Sequence, residues 1–448
     1  LCMPPNTSEE FIYMSQSTEL NHLIKTTLMG KQCFCQYNKK HNSLSLASFS
    51  RGGYKLLFFV SNWALRLSIY TFKPVVLVGA TFKRLDALKL MVRSRLKVFV
   101  LPTKICFGNS RLKVGNTADR SKFRVRNEDG FDEFFNNLIH LILPRSYVEE
   151  FSTIRKEYGF LSENSPAIGS AIGLRIDDRY KIAAAGIVEN GGHLLGFQHG
   201  GGYNIFKHGR FQLMEEDCVS KFYYWGDYFN HGLPSGYFRN LEAFRGKCNY
   251  LENWKVLFVS TGYPKFMYFQ NLKDNSNCFP SYLSDQNSFY SSLSDRIKRK
   301  IVVRLYHIDY GWGEAELWRR HQIPAAFDRT KDFVKSLLRA RIFVSDHLST
   351  TWIQALYIGI PIIIYIDCNH YIFTDEFNHI SQYLVKAGIF QTSAVSAAEF
   401  INLNYDQIDK WWNDETVKEA AGLLRGYALS DCDDNFIEKW VEELVQYA

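Results

Sequence analysis

The sequence predicts an α/β protein built from two Rossmann-like domains that face a central cleft. Three observations carry this expectation. Short apolar runs alternate with amphipathic helical segments, the pattern of parallel strands joined by crossover helices. The alternation comes in two successive sets, joined near residues 235–252. The chain is also long enough for both, at 448 residues with 46% hydrophobic and 22% charged, whereas single domains typically hold about 100–200 residues.

Residues 1–50 are polar, with Gln36 to Ser50 rich in Asn, Lys and Ser, and read as an irregular lead-in. Leu56 to Tyr70 is apolar but carries Asn62 and Arg66, which suits an amphipathic helix better than a membrane span. Pro74 to Gly79 is a β run, Leu85 to Arg95 a helix, and Leu96 to Leu101 a second β run. Residues 110–130 are charged and break the pattern; a helix is expected over Asp132 to Leu143, and another opens at Tyr147. Ile182 to Val188 then reads as helix and His193 to Phe197 as strand.

The second set begins with a strand at Lys255 to Ser260, followed by a long loop holding Pro264 and Pro280. Helix Phe289 to Arg299, strand Ile301 to Tyr306, helix Asp328 to Arg339 and strand Arg341 to Ser345 come next. Helix Thr350 to Tyr357 and strand Pro361 to Ile366 complete it. Asp434 to Tyr447 places Phe436, Trp440 and Leu444 at i, i+4 and i+8, an amphipathic closing helix. The expected division is a lead-in at 1–50, a first domain at 51–240, a second at 250–425, and a closing segment at 426–448 that packs back on the first domain.

Composition narrows the function classes. Aromatic residues reach 16% (35 Phe, 26 Tyr, 9 Trp), which suits flat surfaces for sugars, bases or a membrane face, and equally suits a genome rich in A and T. The net charge of +7 is scattered, with short clusters at Lys298-Arg299-Lys300 and Arg319-Arg320. No long basic block with interleaved aromatics is present, which argues against nucleic acid and for small anionic substrates or peripheral contact with anionic lipid. The nine cysteines are odd in number and never form C-x-x-C, so they read as thiols of a reducing compartment, without a zinc site. The first residues, Leu-Cys-Met-Pro-Pro, are not a signal peptide and fit a module of a longer chain.

Three stretches can carry chemistry. In Ile342 to Pro361 an apolar strand ends in Asp346-His347, followed by Ser349-Thr350-Thr351 at a helix start. Free N–H groups, three hydroxyls and the positive end of the helix dipole make a phosphate site; ordinary capping needs only one hydroxyl. In Val302 to Glu314, Arg304 and His307 could hold phosphate oxygens and Trp312 could stack on a ring, against the plainer reading of an aromatic loop. The third stretch is Gln198-His199-Gly200-Gly201-Gly202-Tyr203, a glycine turn directly after a strand, where backbone can approach a ligand closely. Asp177, Asp178, Glu215 and Asp227 supply carboxylates nearby in sequence. The plainer reading here is a turn with a packed histidine.

Taken together, Leu143-Pro144, Tyr147, Glu149, the Gln198 to Tyr203 turn, Glu215-Glu216, Trp225-Gly226, Arg304, Asp309 to Trp312, and Asp346 with Ser349 to Thr351 and Gly359-Ile-Pro361 resemble a family of bacterial surface-polysaccharide sugar transferases. More loosely they resemble GT-B glycosyltransferases that use CMP-activated acidic sugars, namely the retaining β-Kdo transferases and bacterial sialyltransferases. The resemblance runs from about residue 143 to 370. It implies a GT-B enzyme that holds a nucleotide sugar between an acceptor-side first domain and a nucleotide-binding second domain.

By that resemblance Ser349 and Thr350 match a hydroxyl pair that holds the CMP phosphate. His307 is a candidate for the histidine of a His-Pro pair, although Ile308 stands where proline would be. Arg304, Thr351 and Asp346 complete the expected nucleotide site. A carboxylate of the first domain would attack the anomeric carbon, with Asp178 the first candidate and Asp177 or Glu215 the others. His199 would act as general base or hold the sugar carboxylate, with Gln198, Gly200, Gly201, Tyr203 and Trp312 lining the substrate.

Neither cofactor nor metal is expected, since a CMP-sugar carries a single phosphate and no D-x-D motif lies on a suitable loop. The expected partners are the nucleotide sugar and an oligosaccharide or lipid-linked glycan of O-antigen or capsule synthesis. The expected location is the cytoplasm, peripheral to the inner membrane. Retention and inversion stay open. The competing readings are a transferase using a UDP-, GDP- or CDP-linked donor, a nucleotide-sugar epimerase of the same fold, and a non-catalytic glycan-binding module.

Overall fold

The computed structural model describes residues 65–80, 82–101, 120, 138, 142–207, 209–226, 228, 232–246, 255–265, 278–320, 326–366 and 371–448. The expected lead-in, most of the expected helix at 132–143 and Asp227 lie outside these residues. The chain divides into two compact units, residues 1–70 with 110–158, and 71–109 with 159–448. In the first, the described part of the early apolar stretch, residues 65–70, is helical. There the Arg120 guanidinium grips both Glu149 oxygens, at 2.5 and 2.8 Å, and the Leu143 carbonyl at 3.1 Å.

The second unit holds two parallel sheets. The first consists of β1 (Val75–Val78), β2 (Val98–Leu101), β3 (Ala167–Ser170), β4 (His193–Phe197) and β5 (Lys221–Tyr223), in the order β2-β1-β3-β4-β5. Every pairing is parallel. The order reverses between β1 and β3, the switch point beyond whose carboxyl ends such sheets bind ligands. The second sheet consists of β6 (Lys255–Val259), β7 (Ile301–Arg304), β8 (Ala326–Phe327), β9 (Ala340–Ser345), β10 (Ile362–Tyr365) and β11 (Phe390–Gln391). Its order is β11-β10-β9-β6-β7-β8, again all parallel, which is the doubly wound arrangement with its switch point between β6 and β9. The core strands β1, β9 and β10 are buried at every position, as expected where helices cover both faces. These are the two Rossmann-like halves of an α/β layout of the GT-B type.

Several elements depart from the sequence expectation. Strands β3 (Ala-Ile-Gly-Ser) and β5 (three residues) carry too few β-branched residues to stand out. The helix expected at Phe289 begins ten residues earlier, as Phe279–Ser292, with Pro280 in its first turn, where the missing N–H costs nothing. It ends at Leu293, whose extended backbone separates it from the short helix Asp295–Lys298. The helix expected over Asp328 to Arg339 is only Phe333–Leu337, capped by the Asp332 carboxylate. The residues before it form a loop held by Arg304.

The final helix, Phe436–Val445, buries Phe436, Ile437, Trp440 and Leu444 on one face. Its Trp440 ring packs on Phe82, just beyond β1, and on Phe197 and Tyr223 of the first sheet, and Glu443 accepts from Lys221 Nζ at 2.6 Å and Tyr223 Oη at 2.7 Å. One continuous hydrophobic cluster runs from Val75 and Leu195 of the first sheet to Phe343 and Ile364 of the second. Among the described residues Cys218, Cys278 and Cys432 form no disulfide, and no helix is long and apolar enough to cross a membrane.

Candidate functional site

Strand β4 ends at Phe197 and hands the chain to Gln198, a buried amide that organises the glycine turn. Its Nε2 donates to the Gly200 carbonyl at 2.8 Å, and its Oε1 accepts from the Trp225 N–H at 2.8 Å. The turn is thereby fixed to the exit of β5. Its next residue reaches the other half of the protein: the Gly201 N–H donates to Thr350 Oγ1 at 3.2 Å. A Cβ at Gly201 would lie 2.5 Å from the Ser349 carbonyl oxygen, so only glycine lets the turn meet the start of helix Thr350–Ile358.

Two further contacts hold the same segment. The Asn204 carbonyl, on a residue with φ of 59°, accepts from Thr374 Oγ1 and Tyr427 Oη, each at 2.6 Å. Ile205 and Lys207 pair with Thr374 and Ile372 through backbone bonds of 3.0 and 2.9 Å. The Gln-His-Gly-Gly-Gly turn is therefore the seam at which the carboxyl ends of both sheets meet.

His199 sits in this seam within a polar chain. Arg175, on the short helix Gly173–Ile176 that follows β3, places Nη1 2.6 Å from His199 Nε2. Tyr203 Oη lies 2.7 Å from His199 Nδ1 and hydrogen-bonds to Glu215 Oε2. Arginine can only donate, so Nε2 accepts and the proton rests on Nδ1. That nitrogen then donates to the Tyr203 oxygen, and the Tyr203 hydroxyl donates to Glu215. The tautomer is thus set by the neighbours.

Burial, with the Arg175 charge behind it, lowers the His199 imidazole to about 4, against the opposing pull of the Ala171 carbonyl. The ring is neutral at pH 7. Glu215 is 3% exposed, and burial raises its carboxyl to about 7, while the Tyr203 bond and Arg175 pull it down. Burial and the Glu215 charge raise the Tyr203 phenol far above its ordinary range. Glu215 Oε1 has no hydrogen-bond partner, with Arg175 Nε 4.0 Å away.

On the second sheet, the Ser349 hydroxyl makes no cap bond with the helix that begins after it. Thr351 Oγ1 lies 3.3 Å from His347 Nε2, and His347 Nδ1 lies 2.9 Å from Asp346 Oδ1. Asp346 is buried, and its Oδ2 accepts from Gln286 Nε2 at 2.8 Å; Gln286 in turn accepts from the Trp318 indole at 3.0 Å. Asp346 therefore links the turn at His347 to the buried Gln286 amide. It also borders a cavity walled by Tyr263, Tyr282, Tyr365 and Tyr371.

The other sequence candidates take different places. Arg304 Nη1 is held by Asp328 Oδ2 at 2.6 Å and the Thr330 carbonyl at 2.8 Å, and its guanidinium lies over Phe333. His307 is exposed against Tyr306, and Trp312 stacks on Phe279 with ring centres 4.2 Å apart. Asp177 is the N-cap of helix Asp178–Glu189, accepting from the Arg179 and Tyr180 N–H groups. Asp178 pairs with Lys181 Nζ at 3.0 Å.

The structure thus joins Gln198, His199, Gly200, Gly201, Tyr203 and Glu215 to Ser349, Thr350, Thr351 and Asp346, and anchors Arg304 and Trp312 in contacts of their own. It adds Arg175, His347 and Gln286, which the sequence did not single out. Arg175 follows a strand with no strand signal. His347 stood in the quoted motif but without a role.

Known proteins place this geometry in context. Among solved structures the chain is similar to WaaG, a glycosyltransferase involved in lipopolysaccharide biosynthesis, at 11% identity over 83% of this chain and 99% of that one, with a TM-score of 0.36. It is similar to Acinetobacter baumannii MurG at 10% identity over 83% and 99%, TM-score 0.40. It is similar to the wall teichoic acid polymerase TagF at 10% identity over 89% and 98%, TM-score 0.38. The fold assignment rests on the strand orders of the two sheets. No curated protein matches. One family does match, over residues 3–444, and it is the family of LIC12162 transferases. With nearly the whole chain matched, the protein belongs to the LIC12162 transferase family.

Proposed function

We propose that the protein is a glycosyltransferase of bacterial surface-polysaccharide synthesis, moving an acidic sugar of the Kdo or nonulosonic type from a CMP-linked donor to a glycan acceptor. The observation that supports it best is the seam itself: the Gly201 N–H lies 3.2 Å from Thr350 Oγ1, so the histidine turn of one sheet adjoins the helix start of the other. A donor phosphate at that helix start and a sugar beside His199 would be neighbours.

In this reading the first-turn N–H groups, the Ser349 hydroxyl and the hydroxyl hydrogen of Thr350, whose oxygen already accepts from Gly201, hold the CMP phosphate as it departs. The tyrosine-walled cavity beside Asp346 offers flat surfaces toward which the base would lie. For a retaining reaction the nucleophile is Asp178, because Asp177 is spent as a helix cap and Glu215 is buried behind Tyr203. Its carboxylate attacks the anomeric carbon, and the C–O bond to phosphate breaks with its electron pair leaving on CMP. The acceptor hydroxyl then displaces Asp178 while neutral His199 takes its proton. Tyr203 and Glu215 orient the imidazole. The proposed place of work is the cytoplasmic side of the inner membrane, where soluble donors meet lipid-linked glycans.

The test is nucleotide release from CMP-Kdo, CMP-sialic acid and UDP-, GDP- and CDP-sugars, with and without a glycan acceptor. Acceptor-dependent CMP release from an acidic donor is expected. Turnover confined to another nucleotide would move the donor class. Donor conversion without any acceptor would indicate an epimerase, and glycan binding without nucleotide affinity a binding module.

A further inference from the structure

We propose that Arg175 is a receptor for an anionic substrate group and that it masks His199 until that group draws it away. The inference rests on the reading of His199 as a working base.

The side chain occupies a place suited to the task. It follows β3 at the carboxyl edge of the first sheet, next to the β1/β3 switch point, and is 24% exposed. Its Nη1 donates to a neutral imidazole at 2.6 Å, and Glu215 Oε1 stands 4.0 Å from its Nε, beyond hydrogen-bond reach. A guanidinium binds carboxylate or phosphate oxygens through paired, charge-assisted bonds roughly twice as strong as neutral ones. A substrate anion is therefore a better partner than the imidazole.

The exchange has a chemical consequence. While Arg175 donates to Nε2, the His199 lone pair is occupied and cannot accept an acceptor proton. When the guanidinium swings to the anion, Nε2 is uncovered and its positive neighbour is paired. The Nδ1–H bond to Tyr203, backed by Glu215, holds the ring in place. The base is thereby exposed only when an anionic substrate is present. Among the described residues, the groups facing His199 are Arg175, Tyr203, Glu215 with Glu216 behind it, and the Ala171 carbonyl.

The anion could be the carboxylate of an acidic sugar or a phosphate, and the experiment separates them. The full chain is labelled with 15N-histidine, and the His199 nitrogens are followed by NMR through a pH titration. Additions are free Kdo, free N-acetylneuraminic acid, inorganic phosphate, CMP, or galactose as a neutral control. An acidic sugar or a phosphate is expected to raise the His199 titration midpoint by about one pH unit or more, with the Nδ1–H tautomer kept and galactose without effect. Response to the free acid sugars assigns the site to a carboxylate; response to phosphate or CMP alone assigns it to phosphate.

In Arg175→Met the midpoint should start high and move no further with ligand. Arg175→Lys, which keeps charge but not the fork, should respond weakly and guards against a folding defect in the first variant. A wild-type His199 unmoved at saturating concentrations of every anion, or an equal response in folded Arg175→Met, overturns the proposal. Because the readout needs no turnover, a shift caused by an anion alongside failure of every CMP donor would sink the donor assignment and leave the receptor standing.

Discussion

Replacing Gly201 by alanine tests the seam between the sheets more sharply than any change at a polar residue. The new Cβ would lie 2.5 Å from the Ser349 carbonyl oxygen, 2.7 Å from its carbon and 2.9 Å from Ile353 Cδ1. Two of these three atoms are backbone, so relief requires the turn to move off the helix. Overpacking of this kind costs about 1–3 kcal/mol. The displacement also breaks the 3.2 Å bond to Thr350 Oγ1, a further cost of about 1 kcal/mol.

A total loss of about 2–4 kcal/mol should therefore appear in urea unfolding, with weaker CMP binding because the helix start is disturbed. The matched control is Gly200→Ala, whose Cβ would meet only Thr350 Oγ1, at an ordinary 3.8 Å. Its unfolding midpoint should stay close to wild type. Equal stability of Gly201→Ala and Gly200→Ala would refute the close approach, and with it the placing of the glycine turn against Thr350.

Other perturbations test neighbouring parts of the structure. In Gly226→Ala the Cβ would stand 2.0 Å from the Tyr427 carbonyl oxygen, a backbone crossing with no room to yield, so this variant should be poorly folded by circular dichroism. Gly422→Ala, in the helix Glu415–Ala428 that also carries Tyr427, meets nothing within 4 Å and should instead gain about 0.5–1 kcal/mol. Burial raises Asp328 while bonds from Ser336, Thr330 and Arg304 outweigh it and hold the carboxyl at about 2. A depressed pKa contributes stability above the unfolded value that is lost as pH falls from about 4 toward 2, roughly 2 kcal/mol here. Arg304→Ala should remove only part of that acid loss, since Ser336 and Thr330 supply the larger share, and weaker CMP binding at unchanged stability would return Arg304 to the phosphate site. Glu215, raised to about 7, has the opposite sign: stability falls as pH rises from about 4.5 through 7. Glu215→Gln should therefore unfold later than wild type at pH 8, by on the order of 2–3 kcal/mol, and no later at pH 4.

What the sequence showed and hid has physical causes. Val75–Val78, Lys255–Val259 and Ile362–Tyr365 were legible because β-branched runs fill buried strands. Ala167–Ser170 was not, since small residues carry little strand signal, and with it went Arg175 just beyond its end. Pro280 read as loop because a first-turn proline and a loop proline look alike in sequence. Asp177 was a nucleophile candidate only through the resemblance; in the structure it joins two helices, ending Gly173–Ile176 and capping Asp178–Glu189. The glycine turn and the Ser349 hydroxyls were each visible from composition. That they touch was not, because the bond between Gly201 and Thr350 spans 149 positions and no local pattern records it.

The central claim is that one site holds a CMP-linked acidic sugar between the His199 turn and the Ser349 helix start. Its most direct measurement is CMP release from CMP-Kdo and CMP-sialic acid in the presence of a glycan acceptor, run side by side for wild type, Ser349→Ala and His199→Ala. Acceptor-dependent release by wild type is expected, with Ser349→Ala raising the KM for donor and His199→Ala lowering kcat while both remain folded. Release that survives both substitutions, or turnover of UDP- or GDP-sugars alone, would contradict it.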